Sequence, residues 1–168
     1  MQQGFNLICD VPYLYATKAE RGWGGLNYEA MISRVSEFTG LPLGKATAMV
    51  KRGPKQNKFL GALEAYGFNI TIANHVDRDG DILPQWDQSC YEEGLRLLRN
   101  GPQAIALVLD DSADYVRDLA SFARSNWNCE VILVGLNEES LNEIKTDLQE
   151  SGVGDVHTLV IDQSLCKG

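Results

Sequence analysis

Histidine is nearly missing from this chain. Its 168 residues include two, His75 and His157, and neither has a partner at metal-ligand spacing. That excludes a His/Cys zinc site and leaves no Ser/His/Asp or Cys/His nucleophile system. Cysteine is sparse too. Cys9, Cys90, Cys129 and Cys166 lie far apart with no C-x-x-C pair. Cys9 and Cys129 fall in strand-like runs, so reduced core thiols are the reading rather than a disulfide framework. No apolar run reaches the roughly 18 residues of a membrane span. The opening Met1-Gln2-Gln3-Gly4 has neither the basic nor the long apolar region of a signal peptide. An intracellular, cytoplasmic protein is expected. There is no internal repeat, no low-complexity tract and no G-x-G-x-x-G or Walker loop; Gly22-Trp23-Gly24-Gly25 matches neither. A flavodoxin-like small-molecule binder would need such a phosphate loop.

What is present fits one globular domain over residues 1–168, with 44% hydrophobic and 23% charged residues. The net charge is −8, and it is unevenly spread. Residues 1–86 hold nine Lys/Arg against eight Asp/Glu, and residues 87–168 hold six against fifteen. A uniformly acidic chain binds nucleic acid poorly, because phosphate contacts need cations. Here the cations are gathered: Lys45, Lys51, Arg52, Lys55 and Lys58 put five of fifteen into one short stretch.

Apolar strand-like runs alternate with helix-like segments along the whole chain. The expected strands are Phe5–Val11, Ala46–Val50, Phe68–Ala73, Ala104–Leu109, Glu130–Leu136 and Val156–Ile161. Several are continuously apolar, as parallel strands covered on both faces should be. The expected helices are Asn27–Phe38, Asn57–Tyr66, Ser89–Arg99, Ser112–Ser125 and Glu138–Gln149. Asn27 and Asn137 supply N-cap signals, and Gly40, Gly67 and Gly152 follow helix ends. This alternation predicts an α/β fold: a single doubly wound, mostly parallel sheet with helices on both faces. His75–Gln88 is the longest irregular stretch.

In such a sheet ligands sit outside the carboxyl ends of the strands. The first strand ends in Ile8-Cys9-Asp10, the fourth leads into Asp110-Asp111-Ser112-Ala113-Asp114, and Asp87 opens the helix before the fourth. Carboxylates gathered at one edge repel unless a cation neutralises them, and hard oxygen ligands suit Mg²⁺ or Mn²⁺. The competing reading is that Asp87, Asp111 and Asp114 only cap helices.

Four patterns along the chain resemble the NYN domain, a PIN-like nuclease fold that includes the LabA-like proteins. Ile8-Cys9-Asp10-Val11-Pro12-Tyr13-Leu14 is similar to its opening "I-D-G-x-N-L". Asp87 and Glu93 keep the spacing of its acidic "D-V-x-L-x-x-D" segment, and Asp111 stands 24 residues after Asp87. Val108-Leu109-Asp110-Asp111-Ser112-Ala113-Asp114-Tyr115 resembles its "S-G-D-x-D-F" turn with one residue inserted, and Lys58–Phe68 resembles its helix-Gly-strand step. The chain departs from the pattern at Tyr13, where the family has Asn. It departs again at Pro84, where a Lys usually precedes the acidic segment, and at Leu109-Asp110-Asp111 in place of Ser-Gly-Asp.

The resemblance implies a PIN-like fold and a Mg²⁺- or Mn²⁺-dependent ribonuclease. Its metal-binding and catalytic carboxylates would be Asp10, Asp87, Asp111 and Asp114. RNA is the implied partner, and Lys51, Arg52, Lys55 and Lys58 are the candidate RNA-binding residues. The alternative is a catalytically altered PIN-like module that binds RNA or a protein partner in a regulatory role. Lys18–Gly25 is read as a loop over the site, with Trp23 either stacking on a base or packing against a helix.

Overall fold

The computed structural model describes residues 4–51, 57–73, 85–108, 114–126 and 128–166. Six strands form one parallel sheet: β1 (Phe5–Asp10), β2 (Leu43–Lys51), β3 (Phe68–Ala73), β4 (Ala104–Val108), β5 (Glu130–Gly135) and β6 (His157–Val160). Their order is β3-β2-β1-β4-β5-β6. The chain winds outward from β1 to β3, then returns to the centre and winds the other way from β4. The direction reverses between β1 and β4, so a crevice opens at their carboxyl ends. Cys9 lies opposite Val108 and Asp10 opposite Met49.

The helices are α1 (Val11–Glu20), α2 (Tyr28–Thr39), α3 (Asn57–Ala65), α4 (Gln85–Leu98), α5 (Asp114–Asn126) and α6 (Glu138–Glu150). Alternate residues of each strand face opposite helical layers. Phe5, Leu7, Cys9, Ala104, Ala106 and Val108 pack with Leu14, Met31, Val35 and Leu63 of α1–α3. Ile8, Ile105 and Leu107 pack with Leu97, Leu119, Ile144 and Leu148 of α4–α6. Helices therefore cover both faces of the sheet. On α6, Leu141, Ile144 and Leu148 form the buried stripe that their spacing predicts.

Both asparagine caps form. Asn27 accepts from the Ala30 amide, and Asn137 accepts from Glu139 and Ser140. Gly40 follows α2 with φ +70°, a backbone that favours glycine. Two departures concern the helices. Residues 11–20 form α1, part of which was expected as a loop. α4 starts at Gln85, four residues before the expected Ser89.

Candidate active site at the carboxyl edge of the sheet

Asp10 is the last residue of β1 and only 4% exposed. Its Oδ1 accepts from the backbone N–H of Tyr13 at 3.2 Å. That bond spans three residues, so Asp10 caps α1, with Pro12 in the first turn, where a missing N–H costs nothing. Val11 and Leu14 seat the new helix on the core. The other oxygen, Oδ2, accepts from the hydroxyl of Tyr115 at 3.3 Å. Both of these donors are neutral. Both bonds are looser than the 2.7–3.0 Å at which hydrogen bonds to oxygen cluster.

Tyr115 is the second residue of α5 and is itself 4% exposed. Burial, then the charge of Asp10 and the nearby Cys90, push its pKa well above the ordinary phenol value. At neutral pH it is a donor. Cys90, on the buried face of α4, lies in the same core cluster as Tyr115. The Cys9 thiol, also raised by burial and by Asp10, faces the opposite layer.

α4 is pinned in height against the sheet by two polar contacts. The Asn6 side chain, fully buried on β1, donates to the Leu97 carbonyl at 2.7 Å and accepts from the Lys45 amide at 2.8 Å. Thr47 on β2 donates to Glu93 at 2.7 Å, and Arg96 pairs with the same carboxylate. Asp87 lies ten residues up the helix from Leu97, about 15 Å at 1.5 Å per residue. Asp10 lies four residues up the strand from Asn6, about 13 Å at 3.3 Å per residue. The two backbones reach the carboxyl edge at about the same height.

Glu93 does not. It sits beside the middle of the sheet, turned onto Thr47 and Arg96, and ties α4 to β2. The backbone of Asp114 opens α5, adjacent to the tyrosine that touches Asp10. Asp111, Arg52 and Lys55 lie outside the described residues, as do the side chains of Asp87, Asp114 and Lys51. Lys58 is exposed near the start of α3. Trp23 is partly buried against the α1–α3 layer, with the Arg21 guanidinium 5.0 Å from its ring centroid. His157 sits at the start of β6, 3.2 Å from Glu130, at the opposite edge of the sheet.

The NYN domain family model matches residues 5–158. The chain belongs to the NYN domain family. NYN membership makes this a nuclease-like, RNA-related domain. A crystal structure of a protein of unknown function from Vibrio parahaemolyticus RIMD 2210633 is similar in fold, with a TM-score of 0.75 at 17% identity. That likeness spans 99% of this chain and 100% of the other. No curated protein matches the chain. Among the described residues of this NYN domain, no helix is long and apolar enough to cross a membrane. Also among the described residues, no three His, Cys, Asp or Glu are grouped as metal ligands. The donor chemistry at the edge nevertheless suits a hard divalent cation: a buried carboxylate at the end of β1, with two further aspartates in the first turns of α4 and α5, which begin at the same edge.

Sequence reading missed Tyr115, Asn6 and Thr47. The one available signal was a tyrosine in the first turn of the helix after the acidic segment.

Proposed function

We propose that the chain is a Mg²⁺- or Mn²⁺-dependent endoribonuclease acting on RNA, as one intracellular, cytoplasmic NYN domain. Asp10, Asp87, Asp111 and Asp114 would hold the cation. The observation that carries this reading is Asp10, a carboxylate 4% exposed at the point where the winding of the sheet reverses, held there by the Tyr13 amide and the Tyr115 hydroxyl among its contacts. Hard cations are held by carboxylate oxygens, and a bound cation at this edge would offset the cost of keeping the Asp10 charge out of water.

A divalent ion held there would lower the pKa of a bound water and neutralise charge building on a phosphate. The protein's own share is positional. The Tyr13 amide and the Tyr115 hydroxyl hold Asp10 from two sides. The Asn6 and Thr47 contacts set the height of Asp87 on α4. α1, α4 and α5 all begin at this edge, and the positive ends of their dipoles favour a phosphate there. Lys51, Arg52, Lys55 and Lys58 follow or border β2, one strand from Asp10, and would carry the RNA backbone toward it.

A second reading has one observation in its favour. Tyr13 stands where the family pattern has Asn, and its hydroxyl lies 3.5 Å from where a Cβ on Gly135 would stand. The ring thus reaches from α1 to the end of β5, at the same edge. A catalytically altered module that binds RNA or protein would tolerate such an obstruction better than an enzyme.

Incubating single-stranded RNA with the protein in Mn²⁺ and in EDTA separates the two. The enzyme reading expects internal cleavage in Mn²⁺ that EDTA and Asp10→Asn each nearly abolish. RNA that is bound but left intact in Mn²⁺ would overturn it in favour of the second reading.

A further inference from the structure

We propose that Tyr115 is a positioning residue for the candidate metal site. Its hydroxyl fixes the orientation in which Asp10 meets a divalent cation. The proposal rests on the reading of Asp10 as a cation ligand and adds a residue that no motif identified. Tyr115 and Asp10 are 105 residues apart in sequence. They meet because α5 begins just beyond β4, the neighbour of β1. The phenol is 4% exposed, so water competes little for its proton. Its ring is fixed in the core formed by α4, α5 and α6.

Asp10 therefore sits between a donor on its own helix, the Tyr13 amide, and a donor on the far side of the crevice. The terminal torsion of a carboxylate is intrinsically broad. The Tyr115 hydroxyl, on the oxygen that the Tyr13 amide does not hold, narrows it. Residues that orient a metal ligand from behind commonly matter nearly as much as the ligand itself. In the pattern that the chain resembles, a Phe stands at position 115 and an Asn at 13. Here the Asn is replaced by Tyr, and a hydroxyl reaches the carboxylate from the opposite side.

Tyr115→Phe keeps the ring and removes only the donor. The probe is Mn²⁺ alone, titrated against the full chain while free Mn²⁺ is followed by electron paramagnetic resonance. Melting in EDTA and RNA cleavage in saturating Mn²⁺ are measured alongside. The proposal expects Mn²⁺ affinity about tenfold weaker, as for other such outer-shell partners. It also expects a lowered kcat with KM for RNA within about twofold of the parent.

A merely structural role would lower the melting temperature in EDTA and leave Mn²⁺ affinity and kcat unchanged. That result would overturn the proposal while the reading of Asp10 stands. A parent that binds no Mn²⁺ would overturn both. Should Tyr115→Phe not fold, the double variant with Asp10→Asn removes the buried charge that lost one of its donors. If Tyr115 acts through Asp10, the double variant binds Mn²⁺ as Asp10→Asn alone does. A further tenfold loss in the double variant would refute the coupling.

Discussion

Gly94 on α4 faces Leu119 on α5 so closely that a Cβ at position 94 would stand 2.5 Å from the Leu119 Cδ1. Leu119 is itself fully buried, so the leucine has little room to retreat. The small residue lets two helices approach, and those helices carry Asp87 and Tyr115 at their starts.

Gly94→Ala should therefore destabilise the domain. Overpacking a filled core costs about 1–3 kcal/mol, and better helix propensity returns about 1 kcal/mol. A net loss of up to about 2 kcal/mol in urea unfolding is expected. Leu119→Ala alone should cost about 2–5 kcal/mol, and distinctly less when made on top of Gly94→Ala. Strict additivity of the two changes would contradict the close approach.

The buried thiols predict an alkaline limit to stability. Burial, reinforced by Glu130, pushes Cys129 up to about 12, and burial and Asp10 push Cys9 upward as well. In the unfolded chain a thiol titrates near about 8.5. Below that pH both states keep the proton and stability is complete. Above it the unfolded chain releases the proton while the fold holds it. Stability then falls by up to about 1.4 kcal/mol per pH unit for each thiol, until the folded group titrates. Cys129→Ala should flatten this decline between about pH 9 and 10.5. An equally steep decline in the variant would count against the buried thiol as its source.

The same burial predicts which cysteine is reactive. Cys9, Cys90 and Cys129 are fully buried, while Cys166 is partly exposed. A thiol-alkylating reagent at neutral pH should modify Cys166 first, and the other three only as fast as the fold opens. Peptide mapping after brief exposure reads this directly. Early label on Cys90 would place it outside the core.

The basic stretch makes a salt prediction. Replacing Lys51, Arg52 and Lys55 together by Glu should weaken RNA binding and flatten its salt dependence. Each lost phosphate contact removes about 0.7 from the slope of log affinity against log salt for single strands, so about 2 in all. Lys58→Glu alone should remove about 0.7. An unchanged slope would take these residues off the RNA path.

Much of this fold is written locally. The apolar runs of β4 and β5, the i, i+3, i+7 stripe of α6 and the asparagine caps of α2 and α6 all form where the pattern puts them. Asp10 was legible too, as the acid that ends an apolar run. α1 was not: Val11 was expected to end the first strand and residues 12–17 had no expected element, yet they become helix because Asp10 caps α1 and the core takes Val11 and Leu14. The start of α4 was hidden by the irregular composition around Trp86. The partners of Asp10 and Glu93 were invisible for a different reason. Tyr115–Asp10 and Thr47–Glu93 join residues 105 and 46 apart, contacts that only the sheet order creates.

The most direct test of the account is thermal melting of the parent and of Asp10→Asn, each in EDTA and in Mn²⁺. Asn caps helices as well as Asp does, so the variant should melt in EDTA within a few degrees of the parent. A cation bound only by the folded state at ten times its Kd stabilises by about 1.4 kcal/mol. For a domain of this size that is a rise of roughly 3–6 °C. The parent should show this rise in Mn²⁺, and Asp10→Asn should lose most of it. A parent indifferent to Mn²⁺, or a variant that keeps the full rise, would contradict the assignment of Asp10 to a metal site.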